Sequence, residues 1–203
     1  GTYCSVVGLR PSPGRVTRGT ANNLFSPLSV QGPMARNIPD LALFLDTMAG
    51  TCPLDPLTFD APALSFTHAV AEARPPRRIA YSSTYGGKLA VDRETREICE
   101  RAVRRFEEMG CVVEEFAPDL GAIQEAFMVL RSQHFVVDRE LQLQAHRDQL
   151  KPDIIWNTEK GLGQTPSQIA WAERERAAFY RRVAAMFETY DLFVTPSAAT
   201  PAF

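Results

Sequence analysis

The chain has 203 residues, of which 45% are hydrophobic and 23% are charged. These values are typical of a folded globular protein and exclude a disordered or fibrous chain. The formal net charge of -2 gives no excess of basic groups, so neither nucleic acid nor an anionic membrane surface is favoured as a partner. No apolar run approaches the roughly 18 residues of a membrane-spanning helix.

The metal-binding residue types are scattered along the chain. The four cysteines, Cys4, Cys52, Cys99 and Cys111, lack the C-x-x-C spacing of zinc and redox sites. We expect reduced thiols, which favours a cytoplasmic location, with Cys99 and Cys111 as small core residues. The three histidines do not cluster either, so we predict no metal site and no cofactor.

The first half of the chain predicts short extended pieces, a loop and one helix. Residues 5–9 and 15–16 favour extended backbone, and residues 17–28 favour a loop. Asn37 then predicts a helix N-cap, with Pro39 in the first turn and Gly50 at the end. The apolar positions at helical spacing, which predict its buried face, are Leu41, Phe44, Leu45 and Met48.

The middle of the chain predicts a strand, a helix and a second strand. Residues 79–82 favour a strand, residues 92–109 a helix beginning at Asp92, and residues 111–116 a strand that is parallel to the first. The predicted buried stripe of the helix is Ile98, Cys99, Ala102, Phe106 and Met109. Gly86-Gly87-Lys88 lacks the glycine and hydroxyl residue that a phosphate-binding P-loop needs, so we predict a flexible loop there.

Two further helices and a closing strand are predicted in the last third. Residues 121–147 carry one helical stripe, and Thr165-Pro166-Ser167-Gln168 is a capping box for a last helix that ends near Tyr190. Residues 151–164 form a polar, glycine-rich stretch without periodicity, and residues 192–194 favour a strand. The predicted stripe of the first helix is Ile123, Phe127, Leu130, His134, Val137 and Leu141.

Particular motifs of this chain resemble the amidase signature family. They are Val-Val-Gly-Leu-Arg-Pro-Ser-Pro-Gly-Arg-Val at 6–16 and Gln-Gly-Pro-Met-Ala-Arg at 31–36 with its following helix. The resemblance is dense over residues 3–57 and returns at Asp-Leu-Phe-Val-Thr-Pro, residues 191–196. It implies an α/β fold with a mixed β-sheet covered by helices on both faces, of which only the C-terminal portion is present.

The resemblance also implies an amide hydrolase with a serine nucleophile. In that family the nucleophile lies a few residues before the position of Cys4, and its partner serine and lysine lie further upstream. We therefore expect a fragment that carries no catalytic residue and is inactive alone. Residues 1–63 would be the C-terminal half of the signature core, and 64–203 a βαβ unit with covering helices that completes the same domain. The expected partners are an amide substrate and the missing N-terminal part, and a homodimer is compatible with the family.

Three candidate substrate-binding residues lie outside the long helix, and each keeps a structural alternative. Phe25 is a pocket wall or the anchor of its loop. Trp156 covers an apolar pocket or seals the edge of a core. Thr195 belongs to a Thr-Pro turn that, by resemblance, is near the substrate cleft, or it only ends a strand.

The other three candidates, Arg131, Gln133 and His134, lie together on the long helix. In relatives with polar substrates this helix presents side chains to the ligand, so the resemblance places them near the pocket. A histidine on an apolar stripe is also a common hydrogen-bonded core residue, and this alternative stays open for His134.

Other functions compete with a stand-alone amidase. One is the A subunit of a tRNA-dependent amidotransferase, although Ser29 stands where many such proteins carry aspartate. Another is a non-catalytic module that binds a small ligand or acts as a scaffold. A third is a pseudo-enzyme completed by another chain through a large apolar interface.

Overall fold

The computed structural model describes residues 1–19 and 21–202, which form two compact units. Unit 1 comprises residues 1–19, 30–118 and 185–202, and unit 2 comprises residues 21–29 and 119–184. The units interleave along the sequence, and the predicted domain division at residue 63 stays a prediction. Across the described ranges, no helix combines the length and the apolar character needed to cross a membrane.

The described part of unit 1 contains two small sheets, three α-helices and a 3₁₀ helix at Thr2–Cys4. The strands and helices in chain order are β1 (Val7–Gly8), β2 (Met34–Ala35), α1 (Ile38–Met48), α2 (Phe66–Ala71), β3 (Arg78–Tyr81), α3 (Arg93–Glu108), β4 (Val112–Glu115) and β5 (Leu192–Val194). Strands β1 and β2 pair antiparallel, whereas β4, β3 and β5 form a parallel sheet in that order. The predicted α/β class with both kinds of strand pairing is confirmed.

Helix α1 begins where the sequence predicts. Asn37 caps it, because its Oδ1 accepts a hydrogen bond from the Asp40 N–H at 2.8 Å. The buried residues are Leu41, Ala42 and Leu45, whereas Phe44, predicted to be buried, is 47% exposed. Successive helical residues are separated by about 100°, so a narrow buried stripe through Leu41 and Leu45 leaves Phe44 outside it.

The predicted strand–helix–strand unit is confirmed as β3, α3 and β4, with a parallel strand pair. The buried stripe of α3 differs from the prediction, since Ile98 and Met109 are exposed and Val103 is the buried residue. Cys99 and Phe106 are half-buried on either side of Val103. The apolar residues of this helix fit two neighbouring stripes, and packing selects the one through Val103.

Unit 2 is built from α4 (Ile123–His146), α5 (Pro152–Leu162) and α6 (Pro166–Met186), whose last two residues belong to unit 1. The capping box of α6 is confirmed. The Thr165 N–H donates to Gln168 Oε1 at 2.8 Å, and the Gln168 N–H donates to Thr165 Oγ1 at 3.3 Å. The core between α4 and α6 contains Ala126, Leu130 and Ala172.

Helix α5 lies where a non-periodic stretch was predicted, so that prediction was wrong. Gly161 lets α5 pack tightly against α4, because a Cβ at this glycine would lie 2.3 Å from the Ser132 carbonyl oxygen. Ser132 of α4 and Thr158 of α5 are fully buried, and Asn157 of α5 is nearly so. The contact is made by small and polar residues, which a search for apolar periodicity does not detect.

The same cause explains the error in the predicted stripe of α4. Leu130 is buried as expected, but Leu141 is 79% exposed, and Phe127 and Val137 are also exposed. Small residues such as Ala126 occupy the closest contacts instead. In α6 a small residue, Ala172, is likewise buried, whereas Phe187 just after the helix is exposed.

Candidate functional site

The carboxyl ends of β3 and β5 lie side by side in unit 1. The strands are parallel, with Tyr81 opposite Val194, and the Ser82 N–H continues the ladder by donating to the Val194 carbonyl at 3.2 Å. Thr195 and Pro196 follow β5 at this edge. Ligands of open parallel sheets commonly bind beyond the carboxyl ends of the strands.

A cavity of about 290 Å³ opens at this edge, and we call it the sheet-edge cavity. Its residues come from the loops after β3 and β5, and they are Ser83, Tyr85, Leu89, Ala90, Val91, Thr195, Pro196, Ser197, Ala198 and Ala199. The lining is mostly apolar, and its hydroxyl-bearing residues come from both loops. Thr195 is the one candidate residue among these.

A second cavity in unit 1, of about 510 Å³, lies at the start of the chain, and we call it the N-terminal cavity. It is lined by Gly1, Thr2, Val6, Gly8, Leu9, Arg10, Val30, Gly32, Pro33, Met34 and Ser197. The hydroxyl groups of Thr2 and Ser197 are hydrogen-bonded at 2.7 Å. Ser197 therefore belongs to both cavities and joins the start of the chain to the loop after β5.

Unit 2 has its own cavity, of about 220 Å³, which we call the loop–helix cavity. It is lined by Asn23, Phe25, Ser26, Pro27, Leu28, Leu130, Gln133, Glu173 and Arg176. The cavity thus brings together two of the candidates, Phe25 and Gln133. The Arg176 guanidinium and the Glu173 carboxylate form an ion pair at 2.5 Å, so their charges offset each other beside the cavity.

His134 is hydrogen-bonded at both ring nitrogens. Its Nδ1 lies 3.3 Å from Asn23 Nδ2, and its Nε2 lies 3.1 Å from Asp138 Oδ2. With the Asn23 amide in this orientation, Nδ1 accepts and the Nε2–H donates to Asp138. His134 does not line the loop–helix cavity, but it holds Asn23, which does.

Arg131 and Trp156 do not line any of the three cavities. The Arg131 guanidinium lies 5.5 Å from the centre of the Phe135 ring. Trp156 is 53% exposed on α5, and the Lys160 ammonium lies 4.8 Å from the centre of its ring. Both side chains make cation–π contacts within their own helices.

The cavities also contain residues that the sequence did not single out for a site. Tyr85 was overlooked, although the adjacent glycines marked its loop as unusual. Glu173 and Arg176 have the i,i+3 spacing of an ion pair on a solvated helix face, and they line a cavity together with residues 23–28.

Burial affects the chemistry of Tyr81 at the end of β3. Desolvation, with smaller contributions from Cys99, Glu100 and Glu115, raises the pKa of Tyr81 to about 12. Its hydroxyl is buried and has no hydrogen-bond partner within the described part of the chain. Tyr81 is therefore neutral at physiological pH and is poorly suited to accept a proton.

The family model described as Amidase matches residues 1–203. The chain belongs to the amidase family. It is 28% identical over 206 residues to an acylamidase of Rhodococcus erythropolis, and the match covers 98% of this chain and 42% of the relative. The glutamyl-tRNA(Gln) amidotransferase of Thermus thermophilus has an A subunit that is 36% identical over 131 residues, covering 63% of this chain and 27% of the relative.

The fold of this amidase-family chain resembles that of solved amidase signature enzymes. Against a bacterial aryl acylamidase the TM-score is 0.85 at 22% identity, over 100% of this chain and 44% of that one. The family model that matches residues 1–203 confirms the predicted family. The chain spans less than half of the length of these relatives, which agrees with the expectation of a fragment.

Proposed function

We propose that the full-length protein containing this chain hydrolyses carboxylic amides through a serine nucleophile and an acyl-enzyme. The family match over residues 1–203 carries this proposal. Two relatives named acylamidase and aryl acylamidase support it, the second through its fold. This chain alone would be inactive, because by resemblance the serine and its partner serine and lysine lie upstream.

In this mechanism the serine attacks the amide carbonyl while backbone N–H groups stabilise the oxyanion. Ammonia or an amine leaves, and water then hydrolyses the acyl-enzyme. By resemblance the nucleophile lies a few residues before Cys4. A residue spans at most about 3.6 Å of chain, so the reacting serine would lie beside the N-terminal cavity. The Thr2–Ser197 hydrogen bond would then hold one wall of the reaction site.

The candidate binding residues enter this proposal in two groups. By resemblance Phe25 and Gln133 are substrate-binding candidates of unit 2, where both line the loop–helix cavity. His134 would act by holding Asn23, and Thr195 would contact the substrate from the sheet edge. Arg131 and Trp156 stay candidates on the resemblance alone.

The test is ammonia release by the full-length protein from a panel of aliphatic and aromatic amides. We expect turnover that disappears when the serine assigned as nucleophile is changed to alanine, while the variant keeps its melting temperature. A well-folded full-length protein that is inert toward every amide would overturn the proposal and favour a ligand-binding or scaffold module.

A second candidate is the A subunit of a tRNA-dependent amidotransferase. The 36% identity to the Thermus thermophilus relative favours it, although Ser29 departs from the aspartate that many such proteins carry. Such a protein would need partner chains, so it would co-purify with them from its own cells and be weak toward simple amides alone. Activity of the isolated protein would favour the stand-alone amidase.

The remaining expectations concern location and assembly. We propose a cytoplasmic location, supported by four cysteines that are all free, including the exposed Cys4. We also propose the missing N-terminal part and an amide as partners of this chain, and the homodimer stays a prediction.

A further inference from the structure

The sheet-edge cavity is preformed by hydrogen bonds between its own loops. The Leu89 N–H donates to the Thr84 carbonyl at 3.0 Å, and the Asp92 N–H donates to the Ala199 carbonyl at 2.8 Å. The second bond joins the segment after β3 to the segment after β5. Backbone hydrogen bonds within the chain thus hold both walls in place.

Tyr85 adopts a backbone conformation that is rare for a residue with a large side chain. Its φ is +52°, and Gly86 and Gly87 follow with φ of +67° and +82°. The Tyr85 ring packs edge-on against the Phe193 ring of β5, with 5.5 Å between the ring centres. The strained turn therefore places an aromatic wall at the cavity, and strain of this kind is concentrated at functional sites.

One residue of the cavity lining, Thr195, has an unsatisfied polar atom. Thr195 Oγ1 is buried and has no hydrogen-bond partner among residues 1–19 and 21–202. Buried polar atoms in folded proteins usually have one. A rotation about χ1 exchanges the threonine hydroxyl and methyl positions, so a ligand in the cavity could receive this hydrogen bond.

Size and surroundings define what the cavity would hold. An engineered apolar cavity of about 150 Å³ in another protein binds benzene, so about 290 Å³ is sufficient for a substituted ring. The described lining offers the apolar side chains of Leu89, Val91 and Pro196 and no charged group. This combination favours a compact apolar group that carries one hydrogen-bonding atom.

Ser197 joins this cavity to the N-terminal cavity, where the proposed reaction would occur. On the basis of the amidase function proposed above, we propose that the sheet-edge cavity binds an aromatic or branched apolar arm of the amide substrate. The ring would pack against Tyr85 and Val91, and Thr195 would bind the polar atom of the arm.

The kinetic test uses the full-length protein and three amides. Acetamide has no ring, benzamide carries one on the acyl side, and acetanilide carries one on the amine side.

Ala90→Phe fills the cavity, and we expect it to lower kcat/KM for a ring-bearing amide about tenfold relative to acetamide. Ala73→Phe is the matched control, because Ala73 is exposed in unit 1 and lies outside the cavity; it should leave the ratio unchanged. An unchanged ratio for both ring-bearing amides in Ala90→Phe would overturn the inference and leave the amidase proposal standing.

A binding test does not depend on turnover. Benzyl alcohol contains the ring and one hydroxyl but no amide, and ethanol is its control without a ring. We expect saturable NMR shifts of the Val91 and Thr195 methyl groups with benzyl alcohol, which Ala90→Phe abolishes. Thr195→Val, which keeps the shape of the side chain, should weaken binding of benzyl alcohol but not of toluene. If the protein hydrolyses no amide, the amidase proposal fails, and these NMR shifts alone show whether the sheet-edge cavity binds an aromatic ring. Their absence in the wild-type protein would overturn it.

Discussion

Asp191 and Arg78 are joined by two reciprocal hydrogen bonds. The Arg78 N–H donates to Asp191 Oδ2 at 2.9 Å, and the Asp191 N–H donates to the Arg78 carbonyl at 2.9 Å. The Arg77 N–H also donates to Asp191 Oδ2, at 2.7 Å. The carboxylate therefore fixes the start of β5 against the start of β3, and it sets the register that carries Thr195 to the carboxyl edge.

This arrangement predicts an acid-sensitive contribution to stability. The hydrogen bonds from Arg78 and Arg77 hold the pKa of Asp191 below its ordinary value of 3.8. A lowered pKa in the folded state means that the contribution is present above about pH 4 and is lost as the pH falls below it. Asp191→Asn should lower the melting temperature of the full-length protein by a few degrees at pH 7 and flatten its decline below pH 4.

The matched control for this prediction is Asp60→Asn, because Asp60 is an exposed aspartate of unit 1. It should leave both the melting temperature and its acid dependence as in the wild-type protein. If Asp191→Asn keeps the wild-type acid dependence, the carboxylate does not contribute as inferred.

Several elements could be predicted because their signals are local. Asn37 and the Thr165–Gln168 pair bind backbone groups within their own first turns, so the sequence alone places the helix starts. The βαβ order predicts a parallel pair through handedness and chain connectivity. The family motifs, at residues 3–57 and 191–196, lie mostly outside these segments and gave an independent indication of the fold class.

The remaining features depend on contacts that are distant in sequence. Gly161 against Ser132 is a contact of small residues, and hydrophobic periodicity does not report it. The loop–helix cavity forms only when residues 21–29 reach α4 and α6, so Phe25 and Gln133 gave no joint signal. Tyr85 reaches the sheet-edge cavity because its backbone has a positive φ. The two glycines that follow it indicate an unusual turn only weakly, so the sequence did not predict this conformation.

The close approach of α5 to α4 predicts a large effect for one added methyl group. In Gly161→Ala the new Cβ would lie 2.3 Å from the Ser132 carbonyl oxygen and 2.6 Å from Val136 Cγ2. Because neither the backbone oxygen nor the packed helix can move freely, we expect a loss of about 1–3 kcal/mol in the free energy of unfolding. Urea denaturation of the full-length protein measures this loss.

Gly163→Ala is the control for that substitution. Gly163 ends α5 with φ of -83°, and the nearest atom to its new Cβ would be 3.7 Å away. We expect it to be neutral or to stabilise by about 0.4–1 kcal/mol, because alanine restricts the unfolded chain. Equal effects of the two substitutions would contradict the packing argument.

Trp156 should contribute little to stability although it is a large aromatic residue. It is 53% exposed, and its described ring contact is with Lys160, for which exposed pairs are worth about 0.5–1 kcal/mol. Trp156→Ala should therefore lower the free energy of unfolding by about 1 kcal/mol or less. Trp171→Ala is the comparison, since Trp171 packs against the core of unit 2 and should cost about 3 kcal/mol. Similar losses for both tryptophans would mean that Trp156 seals a core after all.

Phe25 should affect substrate binding and leave stability nearly unchanged. Its side chain is 74% exposed while it lines the loop–helix cavity, so removing it costs little buried area in the free protein. If a bound amide covers the ring, Phe25→Ala loses an apolar contact, and we expect KM to rise about fivefold to tenfold with kcat largely retained.

Tyr180→Ala is the control, because it removes a ring of α6 that is 73% exposed and lies outside the cavity. It should leave KM unchanged. Steady-state kinetics of the full-length variants, with melting temperatures measured in parallel, separate these outcomes. A KM for Phe25→Ala equal to that for Tyr180→Ala would remove Phe25 from the substrate-binding candidates.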